Sequence, residues 1–205
     1  MGQWSRDAST PPFIDLVPIE RATGARKALY EEMERVRGHG RVSNLFKAYA
    51  AFPELAQANL HRLMVLLTKG NLSVKFKEAL MTALAEANRC DYCVSFHATA
   101  LHNAGASDDE VNAALAFDPD RIGLPDKEKA LFNLALKANG DPHSMLPADI
   151  EAVRKAGATD SDLVETLETV NTGNSFNLIN GALNVGPDDF LNYMTGRGEV
   201  WKQSA

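Results

Sequence analysis

Apolar residues recur at intervals of three and four along most of the chain, which is the spacing that places them on one face of an α-helix. The first such stripe consists of Ala28, Leu29, Met33 and Val36, and it ends at the two glycines that flank His39. No stretch of useful length alternates between apolar and polar residues, as a half-buried strand would. The pattern therefore predicts an all-α protein.

Helix-breaking and capping residues divide this pattern into separate helices. One helix is predicted to end near Phe52, and the next begins at Pro53, because proline suits the first turn of a helix, where its missing N–H leaves no hydrogen bond unmade. Gly70 ends that helix, and Ser73 is suited to cap the one that follows. A last helical segment is predicted from about Asp160 to Leu183.

The N-terminal segment departs from the helical pattern. Pro11, Pro12 and Pro18 oppose helix formation within residues 1–20, which we therefore expect to form an extended arm. The remaining residues, 21–205, are numerous enough to bury one sizeable core, and we expect them to form a single all-α domain.

A weak internal repeat runs through the centre of the chain. The order Leu72-Ser73, Ala87-Asn88, Gly105-Ala106-Ser107 recurs about fifty residues later as Leu124-Pro125, Ala138-Asn139, Gly157-Ala158-Thr159. The repeat predicts two helical units packed with pseudo-symmetry. The second unit has Gly140–Ser144 where the first has its cysteines, so the scaffold itself does not require thiols.

Composition and charge exclude several classes of function. Hydrophobic residues make up 45% and charged residues 23% of the chain, which is ordinary for a globular protein. The net charge of −6 argues against a general nucleic-acid binder, since phosphate contacts need clustered Lys and Arg. No apolar run approaches the ~20 residues of a membrane span, and no secretory signal is visible. We therefore expect no membrane partner and a cytoplasmic location.

Both cysteines lie in one short motif within residues 78–110. Cys90, Cys93 and His97 are three and four residues apart, so they share one stripe of a helix. An imidazole one turn from a thiol can accept its proton or stabilise its thiolate, which is the reactive species. In a reducing compartment such a CxxC motif is typical of a thiol redox site.

Other interpretations of the motif remain open from the residues alone. The cysteines could be small buried hydrophobes with no chemistry. A zinc site would need four ligands, and His102 could supply the fourth, beside Cys90, Cys93 and His97, only if the helix bends. A purely structural disulfide is the weakest interpretation, because so short a loop constrains little of the unfolded chain.

Asparagines form a ladder on the last predicted helix, at Asn171, Asn174, Asn177 and Asn180. Buried amides need hydrogen-bond partners, so this ladder is either a polar seam between helices or the wall of a pocket. We favour the seam, because most buried amides serve structure.

The cysteine–histidine motif resembles that of the alkyl hydroperoxidase D / carboxymuconolactone decarboxylase superfamily. The matching pattern is Glu78, then Cys90 twelve residues later, then Cys93 and His97. Further similarity extends over about residues 42–190. Because the decarboxylases of the superfamily lack a CxxC motif, the chain resembles its peroxidase-related branch. The resemblance implies the alkyl hydroperoxidase D-like helical fold.

The resemblance also implies an enzyme that reduces hydroperoxides with thiols. Cys93 would attack the peroxide, and Cys90 would resolve the product to a redox-active disulfide, with no metal or other cofactor. His97 would carry the proton, with Glu78 behind it through an intervening water. A dithiol or lipoyl-bearing protein would reduce the disulfide. We also expect a symmetric homo-oligomer.

Two alternatives to the peroxidase interpretation are retained. One is a non-catalytic helical oligomer that keeps a vestigial redox motif. The other is a carboxymuconolactone decarboxylase-like enzyme that acts on another small molecule.

The residues inside the motif differ from those of the best-characterised relative, which has a histidine there; this chain has Asp91 and Tyr92 instead. A tyrosine cannot act as a base near neutral pH. An aspartate whose charge points towards the thiols would oppose thiolate formation.

The role of Glu78 depends on a break in the helix. On one continuous helix Glu78 would lie about 28 Å from His97, which is far beyond contact. A break at Asn88-Arg89 would let the two halves pack side by side. Without the break, Glu86 rather than Glu78 would lie on the same helix face as His97. The resemblance favours Glu78.

Overall fold

The computed structural model describes residues 10–191, 193–196 and 199–202. The α-helices of these residues are α1 Gly24–Arg37, α2 Asn44–Tyr49, α3 Pro53–Lys69, α4 Val74–Ala87, α5 Asp91–Asn103, α6 Asp108–Leu115, α7 Asp126–Gly140, α8 Pro147–Lys155 and α9 Asp160–Leu183. Single 3₁₀ turns occupy Ile19–Arg21, Pro119–Arg121 and Pro142–Ser144. The prediction of an all-α fold is confirmed.

The one departure within the described residues is a short antiparallel hairpin near the C-terminus. Its strands are β1 Tyr193–Gly196 and β2 Glu199–Lys202. Tyr193 lies opposite Lys202 in the register. A pair of four-residue strands has little space for the alternation that makes a strand visible in a sequence.

The predicted helix boundaries hold where a capping residue defines them. Pro53 is the first residue of α3, and the hydroxyl of Ser73 accepts a hydrogen bond from the Phe76 N–H at 3.0 Å at the start of α4. The last helix runs from Asp160 to Leu183, as predicted. Local hydrogen-bonding chemistry, which the sequence shows directly, therefore sets these boundaries.

The two predicted helical units are present as α4–α6 and α7–α9. Each unit has a glycine in the left-handed conformation before its third helix, Gly105 at φ +94° and Gly157 at φ +93°. A capping box follows each glycine, built on Ser107 in the first unit and on Thr159 in the second. The recurring turn chemistry explains why the repeat was visible in the sequence.

Buried carboxylates join the second unit to the start of the first. Glu128 of α7 accepts hydrogen bonds from the N–H of Ser73 at 2.7 Å and from its hydroxyl at 2.9 Å. Glu165 of α9 accepts from the Asn71 N–H at 2.7 Å and pairs with the ammonium of Lys77 at 2.6 Å. These contacts fix the N-terminus of α4, the helix at the centre of the fold.

The apolar core consists of two clusters that meet along α4 and α5. One is centred on α4, α6 and α7 and contains Phe76, Leu80, Leu84, Leu101 and Phe132. The other lies between α1, α2, α3 and the start of α5, and it contains Tyr30, Met33, Phe46, Leu60 and Phe176. Cys90, Tyr92 and Cys93 belong to this second cluster.

The described part of the N-terminal arm runs along its own chain. The N–H of Phe13 donates to the carbonyl of Leu183 at 2.9 Å, and the hydroxyl of Tyr30 donates to the carbonyl of Val17 at 3.0 Å. Residues 1–9 of the predicted arm lie outside the described residues. Within the part of the chain that the structure describes, no helix combines the length and apolarity needed to cross a bilayer.

Candidate active site

A break between α4 and α5 brings the predicted site residues together. Helix α4 ends at Ala87, Arg89 adopts a left-handed conformation at φ +56°, and Cys90 is the N-cap of α5. The chain therefore reverses over three residues, and the two helices pack side by side. Of the two carboxylates considered from the sequence, Glu78 is the one that reaches His97.

Glu78 and His97 form a direct buried pair. The Oε2 atom of Glu78 lies 2.8 Å from Nδ1 of His97. The expectation of an intervening water was wrong, because this distance is that of a direct hydrogen bond. If the Glu78 carboxylate is ionised it can only accept, which would put the hydrogen on Nδ1 and leave Nε2 for proton exchange.

Cys90 and Cys93 are joined by a disulfide at the N-terminus of α5. Their Cα atoms are 5.2 Å apart, and the N–H of Cys93 points to the sulfur of Cys90 at 3.3 Å. The exposed fraction is 3% for Cys90 and 1% for Cys93. The N-terminus of a helix carries partial positive charge, so in the reduced protein this position favours a thiolate.

The asparagine ladder divides between two roles. Asn174 is a seam residue, since its amide accepts from Asn88 at 2.7 Å and donates to Asn139 at 2.8 Å. Asn180 lies in the site instead, with Nδ2 3.3 Å from the sulfur of Cys93. The seam prediction is therefore right for Asn174 and wrong for Asn180, because three-residue spacing rotates successive side chains around the helix.

A small cavity of about 30 Å³ opens beside Cys93 and His97. Six apolar side chains contribute to its wall: Leu45, Phe46, Leu63, Leu67, Phe96 and Phe176. The guanidinium of Arg37 lies 4.9 Å from the ring centroid of Phe96, which packs edge-on against His97. No sequence pattern indicated these lining residues, because together with Arg37 they come from five different helices.

Tyr92 anchors the site and is not a base. Its hydroxyl donates to Oδ2 of Asp188 at 2.8 Å, and Oδ1 of Asp188 accepts from the Asn44 N–H at 2.6 Å. Burial, together with the charge of Asp188 and the hydrogen bond to it, raises the pKa of Tyr92 well above its ordinary value. Tyr92 thus ties the motif to the segment that follows α9.

The carboxylates near the motif are disfavoured in their charged forms. Burial raises the pKa of Asp91, and burial followed by the charge of Asp91 raises the pKa of Glu86.

We expect Asp188 to make folding stability depend on pH. Burial raises the pKa of Asp188 above its ordinary value of 3.8, so the folded protein binds a proton that the unfolded chain has already lost. The unfolding free energy of the wild type, relative to Asp188→Asn, should therefore fall as the pH rises from about 4 through the raised pKa. Urea unfolding of both proteins at pH 4 and pH 7 measures this difference. A difference that stays constant or grows with pH would contradict it.

The residues of the zinc interpretation do not assemble. In the described ranges, no group of three or more His, Cys, Asp and Glu is arranged to hold a metal ion. The Nδ1 atom of His102 lies 3.7 Å from Oδ1 of Asp108 at the start of α6. The fourth ligand considered from the sequence is thus directed to a neighbouring helix.

Comparison with known proteins agrees with this architecture. Residues 53–132 match the model of the carboxymuconolactone decarboxylase family. No curated protein matches the sequence. An uncharacterised peroxidase-related protein from Ralstonia eutropha JMP134, described as an alkylhydroperoxidase AhpD core, superposes with a TM-score of 0.77 at 22% identity, covering 89% of this chain and 95% of its own.

Two further solved structures share the fold. A peroxidase-related protein from Silicibacter sp. TM1040 gives a TM-score of 0.75 at 22% identity, over 87% of this chain and 93% of its own. The debrominase Bmp8 was solved as a cysteine-to-alanine variant in complex with 2,3,4-tribromopyrrole. It gives a TM-score of 0.69 at 17% identity, over 90% of this chain and 94% of its own. Residues 53–132 are thus similar to the carboxymuconolactone decarboxylase family, and the fold is the AhpD-like helical fold.

Proposed function

We propose that this protein is a thiol-dependent hydroperoxide reductase, in which Cys93 attacks the peroxide and Cys90 resolves the product. One observation carries the proposal: the buried Glu78–His97 pair borders the same cavity as Cys93, which is joined to Cys90 by a disulfide. A nucleophile, a proton carrier and a group that orients it are the components of this type of catalysis.

The proposed chemistry proceeds in two steps. His97 accepts the proton of the Cys93 thiol, and the resulting thiolate attacks the terminal oxygen of the hydroperoxide. An S–O bond forms, the O–O bond breaks, and the departing alkoxide takes that proton from His97. Cys90 then attacks the sulfur of the sulfenic acid, which forms the disulfide and releases water. In total, two thiols and one hydroperoxide give a disulfide, an alcohol and water.

The burial of both cysteines bears on the reductant. With exposed fractions of 3% and 1%, Cys90 and Cys93 are poorly placed for a thiol fixed on another protein's surface. A dithiol on a long flexible arm, such as a lipoyl group on a carrier protein, could approach the disulfide more closely. We propose a reductant of this kind, acting in a reducing cytoplasm on a homo-oligomer of this chain.

The test is oxidation of the reduced protein by one equivalent of hydroperoxide. The wild type should lose two thiols per hydroperoxide and form the Cys90–Cys93 disulfide, counted by thiol titration and mass spectrometry. Cys90→Ser should lose one thiol and accumulate a sulfenic acid on Cys93. A reaction no faster than that of a free thiol would reject the proposal and favour a vestigial motif.

We expect His97→Ala to slow peroxide reduction by about 10²–10⁴-fold, the usual contribution of a general acid–base group. The reason is that the departing alkoxide loses its proton donor. Glu78→Gln should reduce the rate less, since it keeps a hydrogen-bond acceptor but loses the charge that pairs with the imidazole. The measurement is the second-order rate constant under single-turnover conditions.

Glu86→Gln is the matched control for this experiment. Glu86 also lies on α4, but it does not contact His97, so its replacement should leave the rate unchanged. If Glu78→Gln and Glu86→Gln lower the rate constant equally, the effect comes from the loss of a negative charge on α4 and not from the contact with His97.

A second candidate is a thiol-dependent enzyme that acts on another small apolar molecule. The observation in its favour is the cavity wall, to which three aromatic side chains contribute: Phe46, Phe96 and Phe176. The fold shared with a debrominase is consistent with such a substrate. If haloaromatic compounds oxidise the two thiols and hydroperoxides do not, this second candidate replaces the first.

A further inference from the structure

The side chain of Asn180 is buried against the reactive sulfur and only half satisfied. Its exposed fraction is 2%, and its Nδ2 atom lies 3.3 Å from Sγ of Cys93. Its other polar atom, Oδ1, has no hydrogen-bond partner among the described residues. Asn180 also lines the cavity that holds Cys93 and His97.

A buried carbonyl oxygen without a partner is unfavourable, and it is uncommon in folded proteins. Such an oxygen on a residue that lines a cavity could accept a hydrogen bond from a molecule bound there. The orientation of the amide is fixed by the sulfur, because Nδ2 is the only amide atom that can donate to it. Oδ1 is then the amide atom that still lacks a donor, and the residue that carries it lines the cavity.

We propose that Asn180 is a catalytic residue, with Nδ2 stabilising the Cys93 thiolate and Oδ1 accepting a hydrogen bond from the O–H of the hydroperoxide. The role of Oδ1 rests on the function proposed above, whereas the role of Nδ2 requires only a reduced Cys93. A hydrogen bond to a thiolate favours the charged form of the thiol.

The planarity of the amide gives the arrangement its specificity. Nδ2 and Oδ1 are held rigidly on one carbon, so a hydroperoxide whose O–H bonds to Oδ1 has its terminal oxygen close to the sulfur that Nδ2 contacts. The terminal oxygen is the atom that Cys93 attacks, and its hydrogen is the one that Oδ1 binds. Substrate alignment and thiolate stabilisation would thus come from a single side chain.

Two rate measurements in a Cys90→Ser background separate the two roles. The first is the pH dependence of Cys93 alkylation by iodoacetamide, which reports the thiol pKa. The second is the rate of oxidation by hydrogen peroxide and by cumene hydroperoxide. Asn180→Leu removes both amide atoms, and Asn180→Ala repeats the test with a smaller side chain in case the leucine variant does not fold.

For the thiolate role, we expect the rate of Cys93 alkylation near pH 7 to fall by about tenfold in Asn180→Leu. At high pH the rate should return to that of the parent protein, because the substitution would raise the pKa of the thiol by about one pH unit. For the alignment role, oxidation by peroxide should slow by about a further tenfold after correction for the thiolate fraction. An unchanged alkylation profile would overturn the first role. Peroxide rates that follow only the thiolate fraction would overturn the second.

Asn177→Leu is the matched control. Asn177 is also buried, lies one turn earlier on α9, and has an amide nitrogen without a partner among the described residues, but it does not line the cavity. Its replacement should leave both rates unchanged. If the Cys90→Ser protein does not react with peroxide while its alkylation still depends on Asn180, the proposed function fails and the thiolate role of Asn180 stands.

Discussion

Cys93→Ser should abolish hydroperoxide-dependent oxidation of the protein, the largest effect on activity that we expect. A serine hydroxyl is not ionised near neutral pH and cannot form a sulfenic acid, so neither the S–O bond nor the disulfide can form. The helix N-terminus and the Asn180 amide would then have no thiolate to stabilise. Loss of peroxide, followed with an excess of reduced protein, measures the effect.

Cys90→Ser provides the matched control, because it removes the other thiol of the same motif. It should still consume one equivalent of peroxide, and it should fail to turn over with a dithiol reductant. If Cys93→Ser retains peroxide consumption while Cys90→Ser loses it, then Cys90 is the nucleophile and the two roles must be exchanged.

Lys77→Met should lower the free energy of unfolding by about 3–5 kcal/mol, the usual cost of breaking a buried ion pair by removing one partner. The side chains of Lys77 and Glu165 are 1% and 8% exposed, and Nζ lies 2.6 Å from Oε1. The Lys77 ammonium also donates to the carbonyl of Leu66 at 2.7 Å. Its loss would leave two buried acceptors short of a donor. Urea unfolding monitored by circular dichroism gives the value.

Lys27→Met is the control for this stability effect. Lys27 pairs with Glu31 one turn later on α1, and the two side chains are 62% and 60% exposed. An exposed pair of this kind contributes about 0.3–0.5 kcal/mol. If Lys77→Met and Lys27→Met lower the free energy of unfolding by similar amounts, the buried pair contributes no more to stability than the exposed one.

The helical architecture was predictable because its boundaries depend on local chemistry. Pro53, Ser73 and Ser107 act on backbone groups within one turn, and the left-handed glycines Gly105 and Gly157 need no distant partner. For the same reason the internal repeat was recognisable. The two short strands were not predicted, since four-residue segments show too little alternation.

The site was predictable only in part. The spacing of Cys90, Cys93 and His97 places them on one face, which follows from helix geometry alone. Glu78 was predicted from family resemblance, because spacing along the chain equally allowed Glu86. The direct contact of Glu78 with His97 depends on the left-handed backbone at Arg89, where α4 ends and the chain reverses.

By itself, then, the sequence determined the helices, their caps and the cysteine–histidine motif, because each depends on residues within a turn or two of one another. Only the tertiary structure decided which carboxylate pairs with His97, that Asn180 contacts Cys93 across 87 positions of the chain, and that Lys77 meets Glu165 in the core. These contacts depend on how α4, α5 and α9 are placed against one another. That placement follows from the summed packing of many apolar side chains, which no short pattern encodes.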